Sequence, residues 1–214
     1  MRNKSKILLS TVLLLTLSST AYLYSHRTIH DKILDANIEY PANLNQSEKQ
    51  TLDKYKTDLY YTDSRLLKQA KKIIFTNKTI AEILEDKSGE KMSESEKEGY
   101  AVAKVGGATM EDNHFIYISL SDYGPHLITH ELFHVVDLNI EEKVGERPSH
   151  SAEFTKLVKD NAECLAFTLY EDSSPEERFV ATMLKAYYWP GETQDKMPEV
   201  WNYHVKMMKN IETQ

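Results

Sequence analysis

Residues 130–134 read HELFH, two histidines four positions apart with a glutamate directly after the first. On an α-helix, residues i and i+4 lie one above the other on one face, so His130 and His134 would turn their imidazoles toward a common point and share a tetrahedral zinc ion. Glu131 need not touch the metal. Its carboxylate is placed to take a proton from a water whose pKa the ion has lowered, which makes Glu131 the expected general base. The surrounding SDYGPHLITHELFHVVDLN is apolar at Ile128, Leu132, Val135 and Val136, with Pro125 at an expected first helical position, so the motif is predicted to lie on a helix.

A catalytic zinc takes three protein ligands and leaves its fourth position to water, so one further donor is expected after the motif. Glu163 in KDNAECLAFTLY is the choice, because Leu165, Ala166 and Leu169 predict a buried helix and an inward carboxylate there needs a partner as strong as a metal. His150 and Asp137 are rivals. Asp137 shares the motif helix and better suits holding a ligating imidazole in its metal-binding tautomer. Cys164 is expected as a small buried hydrophobe. Tyr187, Tyr188 and Trp189, ahead of Pro190-Gly191, read as core and helix-end packing.

The elements that must position these groups read as α+β. SEKQTLDKYKTDLYYTDSRLLKQAKK places Leu52, Tyr55, Leu59, Leu66 and Leu67 at helical spacing, with Ser47 as expected N-cap. KIIFTN (72–77) reads as a buried strand, TIAEILEDK as a short helix and KSGEKMSESEKEG as a charged loop. YAVAKV (100–105) and HFIYISL (114–120) read as an antiparallel strand pair joined by GGATMEDN, and helical patterns dominate after residue 123.

The first residues carry an address. MRNKSK is basic, Ile7 to Leu17 is uncharged and apolar, and Ser19-Thr20-Ala21 offers small residues for cleavage, so residues 1–25 are expected to be a signal peptide, with a membrane anchor through residues 7–24 as the competitor. Residues 26–46 are polar and irregular and read as a linker, leaving 47–214 as one catalytic domain. Beyond the three positive side chains of the leader the chain carries 23 basic and 33 acidic residues, a formal charge of −10, which disfavours nucleic acid and anionic membrane surfaces as partners. The single cysteine excludes an internal disulfide framework and any multi-cysteine metal site.

HELFHVVD followed by AECLAFTLY resembles the zinc metallopeptidases related to the anthrax lethal factor catalytic domain and the secreted Pro-Pro endopeptidases, over about residues 72–172. The resemblance implies a zincin-like fold, a small, mainly antiparallel sheet over the HExxH helix followed by a helical C-terminal half. It implies Glu163 as third ligand, an extracellular location, and HFIYISL as the strand lining the cleft. Two positions depart from the family pattern. Phe167 stands where a second glutamate commonly follows the ligand, and Lys156 stands where a tyrosine about two turns before it helps stabilise the oxyanion. Either another donor such as His150, Tyr170 or Tyr188 serves instead, or the protein hydrolyses peptides slowly or not at all.

The expectation is an exported, zinc-dependent endopeptidase with one zinc per chain, acting on a peptide or protein laid as an added strand along residues 114–120. The alternative is a non-catalytic, zinc-containing cell-surface binding protein.

Overall fold

The computed structural model describes residues 28–102, 106–165 and 174–212; the leader lies outside these residues. Five strands form one sheet: β1 (Thr28–Ile33), β2 (Ala36–Pro41), β3 (Lys72–Thr76), β4 (Gly107–Met110) and β5 (Phe115–Ser119). Their spatial order is β1-β2-β3-β5-β4, with β1/β2 and β4/β5 antiparallel and β2/β3 and β3/β5 parallel. The sheet is therefore mixed rather than mainly antiparallel. β2 and β3 are parallel because they are joined through two helices, α1 (Gln46–Tyr61) and α2 (Ser64–Leu67), which return the chain to the starting end of the sheet.

Central strands buried on both faces need apolar residues at successive positions, and β3 and β5 supply them. Ile73, Phe75, Ile116 and Ile118 point into the main core, while Ile74, Phe115 and Tyr117 point into a smaller cluster beneath α3 (Ile80–Ser88). In the main core they meet Leu52, Tyr55 and Leu59 of α1, and Ile128, Leu132, Val135 and Val136 of α5 (Leu127–Val144). The C-terminal half is helical: α6 (Ala152–Asp160), α7 (Ala162–Leu165), α8 (Pro175–Tyr188), α9 (Pro190–Lys196) and α10 (Pro198–Glu212). Phe179, Val180 and Met183 of α8 and Val200 and Met207 of α10 extend the same core.

Several expectations are corrected. The stretch read as a linker holds the β1–β2 hairpin, whose Ala36 and Ile38 are fully buried. Tyr100–Val102 ends a helix, α4 (Glu94–Val102), rather than starting a strand, because Ser93 and Glu96 cap it reciprocally: Ser93 donates to the Glu96 carboxylate at 2.7 Å, and the Glu96 N–H donates back to the Ser93 hydroxyl. Residues 103–105 lie outside the described residues. Asn45, not Ser47, caps α1, in a capping box with Glu48. β5, expected to line the cleft and receive substrate along 114–120, is flanked by β3 and β4 and has no free edge; the edge strand on that side is β4.

Candidate metal centre

The motif helix α5 begins two residues later than Pro125 predicts. His126 takes a left-handed conformation (φ 68°) that turns the chain into the helix, and Gly145 ends it at φ 79°, where a side chain would be strained. Burial of Ile128, Leu132, Val135 and Val136 against the sheet fixes the rotation of the helix and leaves His130 and His134 facing a cleft, with side chains 28% and 17% exposed. Their Nε2 atoms lie 3.2 Å apart. The convergence read from the four-residue spacing is present.

The third group in this triangle is Glu177. Its carboxylate oxygens lie 3.3 Å from His130 Nε2 and 3.3 Å from His134 Nε2. Glu177 sits in the first turn of α8, where the Ser174 hydroxyl accepts the Glu177 N–H, Pro175 takes the first helical position, and Phe179, Val180 and Met183 press the helix into the core. Hydrogen bonds from His130 and His134 hold the Glu177 carboxyl well below the usual carboxylate range, and the helix N-terminus acts in the same direction. Burial opposes the charged form of His134, but the bond to Glu177, with Glu131 and Asp137 nearby, outweighs it and raises the His134 pKa.

Glu163, the ligand expected from sequence, lies elsewhere. It sits on the four-residue α7 with an exposed side chain, and among the described residues the group able to hold a metal is His130, His134 and Glu177. The apolar run after Glu163 suggested a buried helix; only Leu165 of α7 is buried, and residues 166–173 lie outside the described residues. Cys164 is exposed rather than buried. SSPEERF signals the start of the helix that carries Glu177, with an N-cap serine, a proline and two acids ahead of an apolar face, but not the approach of that helix to the histidines.

The rivals have other partners. His150, on a 3₁₀ turn (Pro148–His150), bonds the Glu176 carboxylate at 2.6 Å. Asp137, only 1% exposed, accepts from the Ser149 N–H at 2.9 Å and from its hydroxyl at 2.6 Å, so it ties that turn to α5. Burial pushes the Asp137 carboxyl upward against those bonds. Tyr188 shares a hydrogen bond with Thr129, and Tyr170 lies outside the described residues.

Glu131 is 4% exposed and borders a cleft of about 330 Å³ that also touches His134, Glu177, Leu84, Leu138 and Arg147. Arg147 lines the cleft, bonding Glu111 at 3.0 Å and Glu141 at 2.5 Å. The donor set fits a zinc ion: bonds of about 2.0 Å in a tetrahedron require ligand atoms about 3.3 Å apart, the spacing His130, His134 and Glu177 already have.

No protein-family profile matches the chain, and no curated protein matches it by sequence. Solved structures do match by fold. One is the Pro-Pro endopeptidase from Paenibacillus alvei, with a TM-score of 0.55 and 17% identity over 79% of this chain and 96% of that one. At that identity the likeness is one of fold, an α+β architecture with a small sheet and mostly helices.

Proposed function

We propose that this chain is an exported zinc-dependent metalloendopeptidase, with His130, His134 and Glu177 as metal ligands and Glu131 as general base. The observation that carries the reading is the triangle of two imidazoles and one carboxylate, spaced as a tetrahedral ion requires, with a buried glutamate beside it on an open cleft. The fold likeness to an endopeptidase supports the same reading. Bound zinc would supply Lewis-acid charge, lowering the pKa of a water and polarising the scissile carbonyl. Glu131 takes the proton of the attacking water as its oxygen adds to the carbonyl carbon, then delivers that proton to the amine nitrogen as the C–N bond breaks. A substrate peptide lies extended along the outer edge of β4, the sheet edge on the side of the motif helix.

Taking Glu177 as the ligand also shifts the comparison with the resembling peptidases. A tyrosine about two turns before the ligand falls at Tyr170 rather than at Lys156, and Tyr170 becomes the proposed oxyanion donor.

Zinc content and peptide cleavage together test the reading. The unaltered protein is expected to hold about one zinc per chain, to lose it in Glu177→Ala and to keep it in Glu163→Ala. Glu131→Gln should keep the metal and cleave about a hundred to ten thousand times more slowly. Zinc retained in Glu177→Ala and lost in Glu163→Ala would restore the ligand expected from sequence. Zinc held without cleavage of any peptide in a broad library would place the chain among non-catalytic zinc proteins.

A further inference from the structure

We propose that Thr109 and Gly107 of β4 are the positioning residues for Glu131, a clamp that fixes the carboxylate for proton transfer; this rests on the reading of Glu131 as the general base. Alternation along a strand turns residues 107 and 109 to the same side, toward α5. The Thr109 hydroxyl donates to Glu131 Oε2 at 2.8 Å and lies 3.1 Å from the Glu131 carbonyl oxygen, so one side chain ties both the carboxylate and the helix backbone of that residue to the strand. The other carboxylate oxygen lies over Gly107. A Cβ added there would stand 2.7 Å from Glu131 Oε1, 3.0 Å from Cγ and 3.1 Å from Cδ. Threonine therefore holds one oxygen, and the missing side chain of glycine makes room for the other.

The arrangement has a chemical purpose. A glutamate side chain has three torsions, and a base that samples several rotamers spends only part of its time within reach of the proton it must take. A hydroxyl on one oxygen and a strand backbone beneath the other restrict it to one pose. Gly107 is not among the positive-φ glycines, Gly89 and Gly145, so its conformation tolerates an alanine. The closest contacts of that alanine would all be with side-chain atoms of Glu131 rather than with backbone.

Three variants test the clamp: Thr109→Val, Thr109→Ser and Gly107→Ala, each assayed with a fluorogenic peptide that the unaltered enzyme cuts. Thr109→Val and Gly107→Ala are expected to lower kcat about tenfold to a hundredfold, with KM within about twofold and zinc content unchanged, while Thr109→Ser restores most of the rate. Crystal structures of the zinc-loaded variants should show the Glu131 carboxylate moved from its present place in Thr109→Val and Gly107→Ala and retained in Thr109→Ser. An unmoved carboxylate in the first two, or an unchanged kcat, overturns the proposal. A loss that serine does not rescue, or one that appears only in KM or zinc content, assigns these residues to packing instead. If the unaltered protein binds zinc and cuts nothing, the peptidase reading fails, while the carboxylate positions still decide whether the clamp exists.

Discussion

His204 shows what a buried titratable group costs when nothing answers it. Its ring stacks on Trp201, meets Phe133 and Tyr187 edge-on, and is 6% exposed, with Nδ1 lacking a hydrogen-bond partner. Burial, reinforced by Arg65, lowers its pKa from 6.5 to about 4. Above pH 6.5 both folded and unfolded chains leave it neutral. Between there and pH 4 the unfolded chain takes up a proton that the folded one refuses, so stability falls as pH falls, by at most about 3 kcal/mol. Urea midpoints from pH 7 to 4 should drop less in His204→Leu than in the unaltered protein, and parallel slopes would refute the assignment. The residues of the candidate metal centre were unequally legible in the sequence. His130, Glu131 and His134 were readable because one helical period alone brings two imidazoles together. Glu177 was not, because its approach depends on how α8 packs against α5, and an apolar run beside Glu163 gave a competing signal.

At the scale of elements, the centre depends on how helices begin. Glu177 stands in the first turn of α8, where four N–H groups have no helical acceptor and fraying is easiest. The Ser174 hydroxyl accepts the N–H of Glu177 itself at 3.3 Å, so the cap and the proposed ligand are coupled directly. Ser174→Ala is expected to cost about 1 kcal/mol of stability. It should also weaken zinc binding about tenfold, because the carboxylate must be ordered again on binding. A competition titration with a chromogenic chelator measures this, and an unchanged zinc affinity alongside a lowered Tm would show that packing of Phe179 and Val180 holds Glu177 without the cap. Caps also explain where element reading failed. YAVAKV alternates like a strand, yet Ser93-x-x-Glu96 upstream starts a helix that runs to Val102, and Lys97 pairs with Glu85 of α3 at 3.0 Å. Local alternation was outweighed by a start signal a few residues earlier.

Across the whole molecule, the candidate metal centre stands by one edge of the sheet and the β1–β2 hairpin forms the other. The central strands were legible as uninterrupted apolar runs, and the helical C-terminal half by its periodicity. The hairpin was not, because TIHDKI is largely polar, ANIEYP is short and ends in proline, and their turn carries Leu34 at φ 51° where an asparagine or glycine would have announced it. Its contribution is nonetheless structural. Ile38 pairs with Ile73 and Glu39 with Ile74, and Ala36 and Ile38, each 1% exposed, belong to the main core. A chain shortened to residues 42–214 would lose those side chains, at a cost of about 2–5 kcal/mol for Ile38 alone, and would leave β3 with an unpaired, apolar edge. Against a total stability of about 5–15 kcal/mol, this predicts a Tm lower by about 10 °C or more than that of residues 26–214, together with self-association in size-exclusion chromatography. A dispensable linker would instead leave Tm within about 2 °C and the protein monodisperse. Because the hairpin lies at the sheet edge opposite β4, whatever fraction of the shortened chain folds should still bind zinc through His130, His134 and Glu177. Loss of stability with the metal site intact is therefore the outcome that assigns the hairpin to the fold and not to the chemistry.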